Sequence, residues 1–558
     1  MQQKQSKLKD IFTPVFIIAG GISLVMAAIS FVAPDLLSSF MTFLQTVFGM
    51  EYTWFAQMIP FLCMVLLIWL ACSRKYGHIK IGGQLAKPEY SMFSWLGMLF
   101  TGSIGMGLIA FAVNEPLYAF YLSPACVDLG STAEGVSKMA AAREAMATSM
   151  YHWGVSVWAI FAVAALGVGY FVTRHKGRYL PGDSIIKAWP KKKWTHPLAT
   201  FINVLACICG ATTISASIGI GVVQIATGIV NLWGLPEVFK SIIPFVALVL
   251  LVVVCVLAVS TKQMNKGMNI ISNWNMYICI FVLVFAIVTG PTRYIFEQIV
   301  QTLGDYIMQL IPRSFQMFLH GTDLSAMGGG APYKLSWDVV NNMFWVSWAP
   351  FMSVFIASIS KGRTIRQYVA ATLTIPATFM LIWNCTFGGI SLLNTFNGDG
   401  SIAAQVMEDS TMTFFNILNT LPLAQIMTVL TVILLFFFLA TTVTSCALAL
   451  GRMTDRNGME PSKTRCIAWL VLMSAIALVS LAAASVGGAE ALVTVKSMGS
   501  TFAYPYLFFL VLTAVAFVRR LRLDELHRPT PRPGEDNEIS KLKAEVAALK
   551  AGLSGDKK

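Results

Sequence analysis

The chain has 558 residues, 56% of them hydrophobic and 12% charged, with a net charge of +13. A soluble domain carries about 25% charged residues, so this composition excludes an ordinary soluble enzyme. The basic excess does not point to nucleic acid either, because it sits in short patches between long apolar runs, as membrane topology produces.

Runs long enough to cross about 30 Å of hydrocarbon as helices are predicted, in chain order, at 12–33, 53–72, 92–122, 149–174, 197–229, 242–262, 269–290, 336–360, 367–393, 422–450, 466–487 and 498–519. The first follows a basic stub, 1–11, and has no small-residue cleavage site at its end, so it reads as a retained helix. The ten cysteines, Cys126 apart, lie within or beside these runs and are assigned to packing, not to disulfides. Alternating the connections across the membrane puts 33 of the 40 lysines and arginines on the side of the N-terminus. That asymmetry favours twelve spans with both termini cytoplasmic. The connection 291–335 contains YIFEQIVQTLGDYIMQLI, a predicted amphipathic helix at the membrane surface.

The third run is interrupted: FTGSIGMGLIAF carries Gly102, Ser103, Gly105 and Gly107. Small residues there either let helices touch or mark an unwound stretch whose carbonyls face a cavity. By the charge partition the third span runs outward and the eighth inward, the relation that an inverted repeat of five helices requires.

The fourth and eighth runs carry tryptophan in their interiors. At 100° per residue, Trp153, Phe161 and Trp158 fall at about 0°, 80° and 140° and share one side of the fourth helix. Trp345 and Trp348 lie about 60° apart on the eighth, and Trp158, Trp345 and Trp348 reach roughly 14–18 Å into the bilayer. Such rings either fill the bundle core or cage a methylated cation, which gains about 0.5–2 kcal/mol per desolvated ring. Glu115 is the one carboxylate read as buried within the spans, which favours a permanently methylated cation held by rings over one held by charge pairing. His152 is read as a satisfied neighbour of Trp153.

GMGLIAFAVNEPLYAF (105–120), HWGVSVWAIF (152–161) and FWVSWAPFMSVFIASISKGRTIRQY (344–368) resemble the third, fourth and eighth helices of the betaine/carnitine/choline transporter family, in a layout covering about residues 10–520. The resemblance implies an all-α integral membrane protein with twelve transmembrane helices. Its fold would be a LeuT-type 5+5 inverted repeat, over about 92–290 and 336–519, preceded by two extra helices. It also implies a homotrimer in the bacterial inner membrane. An aromatic box of Trp153, Trp158, Trp345 and Trp348 would hold the onium group, with Phe161 where a Tyr is common and Phe344 where another Trp is usual. Gly105 and Gly107 would face the substrate, and Ser103 replaces the family's first glycine.

The same resemblance implies a sodium site in which Thr441 and Thr442 join the carbonyls of Thr101 and Ile104. Read alone, a threonine pair within a span bonds to carbonyls one turn back. Sodium-independent antiporters of the family place an arginine in the fifth helix, whereas 197–229 has none and offers Thr212, Thr213, Ser215 and Ser217. Sodium symport is therefore the expectation and antiport the alternative, with Thr444, where many relatives carry Asp, pointing the other way.

The expected function is import of a small quaternary-ammonium or sulfonium compound: glycine betaine, carnitine, choline or dimethylsulfoniopropionate. Sodium is the coupling ion, and no other cofactor is expected. An enzyme is set aside because HExxH and GxxxxGK[ST] are missing and the six histidines are scattered. A substrate-binding receptor is disfavoured because no signalling domain is recognisable after residue 520. In the tail 520–558, a Pro-rich linker (527–538) leads to a heptad seam of Ile539, Leu542, Val546, Leu549 and Leu553, which is either a solvated helix or a trimer contact.

Overall fold

In the computed structural model, residues 13–526 are described apart from 84, 105–106, 134–136, 261–263, 318–333, 398–403, 406–408, 456–460 and 488. The N-terminal stub, the linker 527–538 and the heptad seam lie outside the described residues. Apolar runs in hydrocarbon must satisfy their backbone bonds internally, and here they do so as helices. The principal ones are α1 (Pro14–Val32), α2 (Thr53–Cys72), α3 (Met92–Ser103), α4 (Gly107–Ala112), α5 (Asn114–Leu122), α6 (Met139–Trp153), α7 (Val155–His175) and α8 (Thr195–Trp233). There follow α9 (Val238–Ser260), α10 (Met264–Thr289), α11 (Thr292–Phe315), α12 (Val340–Ile359), α13 (Ile365–Asn397), α14 (Ala424–Met453), α15 (Lys463–Gly487) and α16 (Ala489–Leu526). Among the described residues, eleven helical segments are long and apolar enough to cross a membrane and no strand forms. The protein is thus an all-helical, multi-pass membrane protein.

The stretch Met92–Leu122 falls short of that measure because it is three helices rather than one. α3 ends at Ser103, whose hydroxyl bonds back to the Leu99 carbonyl, and α4 starts at Gly107. The glycines flanking the interruption admit rings: a Cβ on Gly102 would lie 2.7 Å from Phe355 Cε1 of α12, and one on Gly107 would lie 2.9 Å from Trp153 Cη2.

The fourth run differs from its predicted bounds. It begins ten residues earlier than the predicted start at 149, at Met139, and breaks at Gly154. The early start is polar, and its charges are met from α11: Arg143 pairs with Asp305 at 2.6 Å and Glu144 with Arg313 at 2.5 Å. At the break Gly154 is extended (φ −86°, ψ −164°), and a Cβ there would run into the Tyr306 hydroxyl. That hydroxyl accepts from Val155 N at 2.9 Å, satisfying one of the orphan donors at the start of α7.

Burial separates centre from periphery. The apolar window of Met139–His175 is 94% buried and that of Trp337–Ile359 89%, against 33% for Val238–Ser260. α7 and α12 pack along each other at the centre. α9 turns Val246, Val249, Leu250, Val253 and Leu257 outward, the face that hydrocarbon would cover. α11 buries Ile295, Thr302, Tyr306 and Arg313 and exposes Phe296, Val300, Ile307, Met308 and Ile311, the two-faced helix expected of this connection. All ten cysteines are free, and only Cys72 is exposed.

The SKGRTIR segment turns out to be a clasp. Ile81 N donates to the Arg363 carbonyl at 2.9 Å, and Gly362 N donates to the Ile81 carbonyl at 2.7 Å. The Arg363 guanidinium sits 4.8 Å from the Trp95 ring centre, and Arg366 Nε donates to the Ala71 carbonyl at 2.8 Å. Gly362 has φ +84°, and a Cβ there would collide with the Lys87–Pro88 backbone. Gly362→Ala is expected to destabilise the fold by about 2 kcal/mol or more, through strain and lost packing. A lowered midpoint of thermal unfolding in detergent checks it.

Candidate functional site

The break at Gly154 places Trp153 at the end of α6 and starts α7 so that Trp158 and Phe161 turn toward α12. Four of the expected rings meet around Trp345: its centroid lies 5.3 Å from that of Trp153, 5.5 Å from Trp158 and 5.1 Å from Phe161. Trp158 and Phe161 are edge-to-face at 6.0 Å. All four are buried. A cation sandwiched between opposed faces within about 6 Å of each would hold them roughly 9–12 Å apart. These rings instead touch one another, and of the four only Trp153 is among the residues lining an adjoining cavity.

Trp348 stands apart from that group. Its ring contacts are Phe344, at 5.5 Å, and Phe351, at 5.6 Å. The indole N–H groups of Trp158 and Trp348 are buried with no hydrogen-bond partner among the described residues, a cost of about 1–3 kcal/mol each unless water or a guest accepts from them. A cavity of about 80 Å³ adjoins the box, lined among others by Phe111, Glu115, Trp153, Asn341 and Phe344. Gly107 borders Trp153 rather than open space, and Gly105 lies outside the described residues. Gly107→Ala is expected to push the Trp153 ring aside against its hydrogen bond to Glu115, and to weaken substrate affinity about ten-fold while expression is retained. Equilibrium binding to the purified variant checks it.

The reading of Glu115 as the one buried carboxylate is corrected here, because Asp338 is buried as well and both converge on His152. Glu115 Oε1 pairs with His152 Nδ1, and Asp338 Oδ1 lies 2.8 Å from His152 Nε2. Trp153 Nε1 donates to Glu115 Oε2 at 2.6 Å, and Trp345 Nε1 donates to the His152 carbonyl at 3.1 Å. The box is therefore joined at one end to an acid–imidazole–acid cluster, and is not a set of rings without acids. An ionisable residue in an apolar run is the signal that marks such a group, and Asp338 in KLSWDVV carries it.

At the other expected site, the hydroxyls of Thr441 and Thr442 approach the Thr101 carbonyl at 3.3 and 3.4 Å. Thr441 also donates to the Phe437 and Phe438 carbonyls, both at 2.9 Å, as a threonine in a span ordinarily does. The Ile104 carbonyl accepts from Gly107 N at 3.1 Å, at the interruption of the third run. On α8, Thr212, Ser215 and Ser217 bond to their own helix, and Thr213 Oγ1 is buried without a partner among the described residues. Among the described residues, no group of three His, Cys, Asp or Glu side chains is arranged to hold a metal ion.

The long apolar helices and a buried group of rings at the centre of the bundle make this a multi-pass membrane protein. The profile of the betaine/carnitine/choline family transporters matches residues 14–526. The ectoine/hydroxyectoine transporter of Virgibacillus pantothenticus is 32% identical over 92% of this chain and 97% of its own length. The glycine betaine transporter of Acinetobacter baylyi is 29% identical over 94% of this chain and 77% of that protein. The high-affinity choline transport protein of Escherichia coli is 30% identical over 86% and 69%. The chain belongs to the betaine/carnitine/choline transporter family, and is a transporter rather than an enzyme.

Proposed function

We propose that this protein imports a small onium compound by sodium symport. Candidate cargoes are glycine betaine, carnitine, choline and dimethylsulfoniopropionate, joined by ectoine because the relatives include an ectoine carrier. The observation that carries the reading is the junction of Trp153, Trp158, Phe161 and Trp345 beside a cavity inside the bundle. Rings there stabilise a cation without leaving a bare charge when the site is empty. Trp348, next to Phe344, would border the path to the box.

Thr441, Thr442 and the carbonyls of Thr101 and Ile104 would hold sodium, since a hard cation takes several oxygen ligands. The proposal includes twelve spans in a LeuT-type inverted repeat, with Met92–Leu122 as the third span, cytoplasmic termini and a homotrimer. Uptake of labelled betaine, choline, carnitine, ectoine and dimethylsulfoniopropionate into proteoliposomes, with and without an imposed sodium gradient, tests it. Accumulation of at least one of them only under the gradient supports symport. Exchange that ignores sodium would instead support the antiporter reading.

A further inference from the structure

We propose that Glu115, His152 and Asp338 form a positioning cluster that carries one proton and fixes the two central indoles of the box. The proposal rests on the ring group being the onium site. Each of the two indole N–H groups is anchored on His152: that of Trp345 directly on its carbonyl at 3.1 Å, that of Trp153 through Glu115 at 2.6 Å. Asn341 Nδ2 donates to the same carbonyl at 3.3 Å. The cluster joins three separate parts of the chain, since Glu115 belongs to α5, His152 to α6 and Asp338 to the π-helical segment Lys334–Val339 that leads into α12.

Proton counting gives the cluster its second property. A neutral imidazole has one N–H, yet both ring nitrogens of His152 face carboxylate oxygens. Both contacts are hydrogen bonds only when one further proton is shared among the three groups. Remove it, and a nitrogen lone pair faces a carboxylate oxygen in a buried site, where repulsion is strong. The contact to Glu115 then opens, and the Trp153 indole held by that carboxylate is released. Binding therefore weakens as pH rises through the cluster's titration.

The other titratable groups on the packed elements have partners of their own. Tyr151 of α6 accepts from Gln57 Nε2 at 3.0 Å, and Tyr306 of α11 accepts from Val155 N. Arg313 pairs with Glu144 at 2.5 Å, Arg143 with Asp305 at 2.6 Å, and Tyr118 of α5 packs on Trp337.

The substitutions Glu115→Gln and Asp338→Asn separate proton from anchor. In E115Q the amide oxygen accepts from Trp153 and the amide N–H donates to a neutral His152, whose other N–H still reaches Asp338. D338N mirrors this arrangement. Both variants keep every bond and dispense with the extra proton. E115A instead leaves the Trp153 indole without an acceptor.

The test uses full-length protein labelled with 5-fluorotryptophan, with the resonances of Trp153 and Trp345 assigned by single Trp→Phe variants, and titrated from pH 5 to 10 without ligand. The two resonances should shift together in one step. The step should vanish in E115Q and D338N, and E115A should broaden or split the Trp153 signal at every pH. Choline affinity of the unaltered protein should fall about ten-fold or more across that step and stay level in E115Q and D338N. No step, a step that survives in both amide variants, or affinity that rises with pH would overturn the proposal. A step of the expected form without choline binding at any pH would uphold the cluster and remove the onium reading of the box.

Discussion

Replacing Trp345 with leucine is expected to raise the dissociation constant for an onium substrate about 30-fold or more, and to cut uptake correspondingly, with little change in expression. Trp345 is the hub of the box, in contact with Trp153, Trp158 and Phe161, and its N–H is spent on the His152 carbonyl. Its loss removes a cation–π face of about 0.5–2 kcal/mol, and it also releases three neighbouring rings into the vacated volume. Phe344→Leu is the paired comparison. Phe344 is half-buried and lines the adjoining cavity, and its ring pairs with Trp348 at 5.5 Å, so a loss of about three-fold is expected. Affinities measured on both purified variants check the pair, and equal, slight losses would remove the box as described.

The double substitution Thr441→Ala, Thr442→Ala is expected to raise the sodium concentration for half-maximal uptake about ten-fold or more, with a smaller effect from either single change. The two hydroxyls approach one carbonyl, that of Thr101, from adjacent residues of α14. Deleting both removes half of the proposed oxygen set and leaves the carbonyls in place. The distinguishing feature is rescue, because high sodium should restore much of the maximal rate if the hydroxyls are ligands. If they only bond to their own helix, sodium dependence should stay as it was. Initial rates in proteoliposomes across a sodium series separate the two outcomes.

Much of this architecture was readable from the residues. Runs such as FVALVLLVVVCVLAV have no alternative to a helix in hydrocarbon, and α9 spans Val238–Ser260 where 242–262 was predicted. The glycines of the third run announced an interruption, and helical spacing placed Trp158 and Phe161 on one side of their helix. What escaped the sequence depends on contacts between distant segments. Arg143 and Glu144 look like loop residues until Asp305 and Arg313 of α11 meet them. Gly154 looks like any glycine in a span, and becomes a break because the Tyr306 hydroxyl takes the space a side chain would need. Glu115, His152 and Asp338 are spread over more than two hundred residues, and nothing in the local pattern of any one of them says that the three touch. Trp348, one turn from Trp345 and expected beside it in the box, is drawn instead onto Phe344 and Phe351, its neighbours on the same helix.

If these indoles recognise charge on a methylated nitrogen, one comparison reveals it without knowledge of the natural cargo. Choline and its uncharged carbon isostere 3,3-dimethyl-1-butanol have the same shape, so a titration of each into purified protein, followed by tryptophan fluorescence, isolates the charge. Choline is expected to bind at least about ten-fold more tightly, and Trp345→Leu to erase the difference. Equal affinity for the two in the unaltered protein would contradict it.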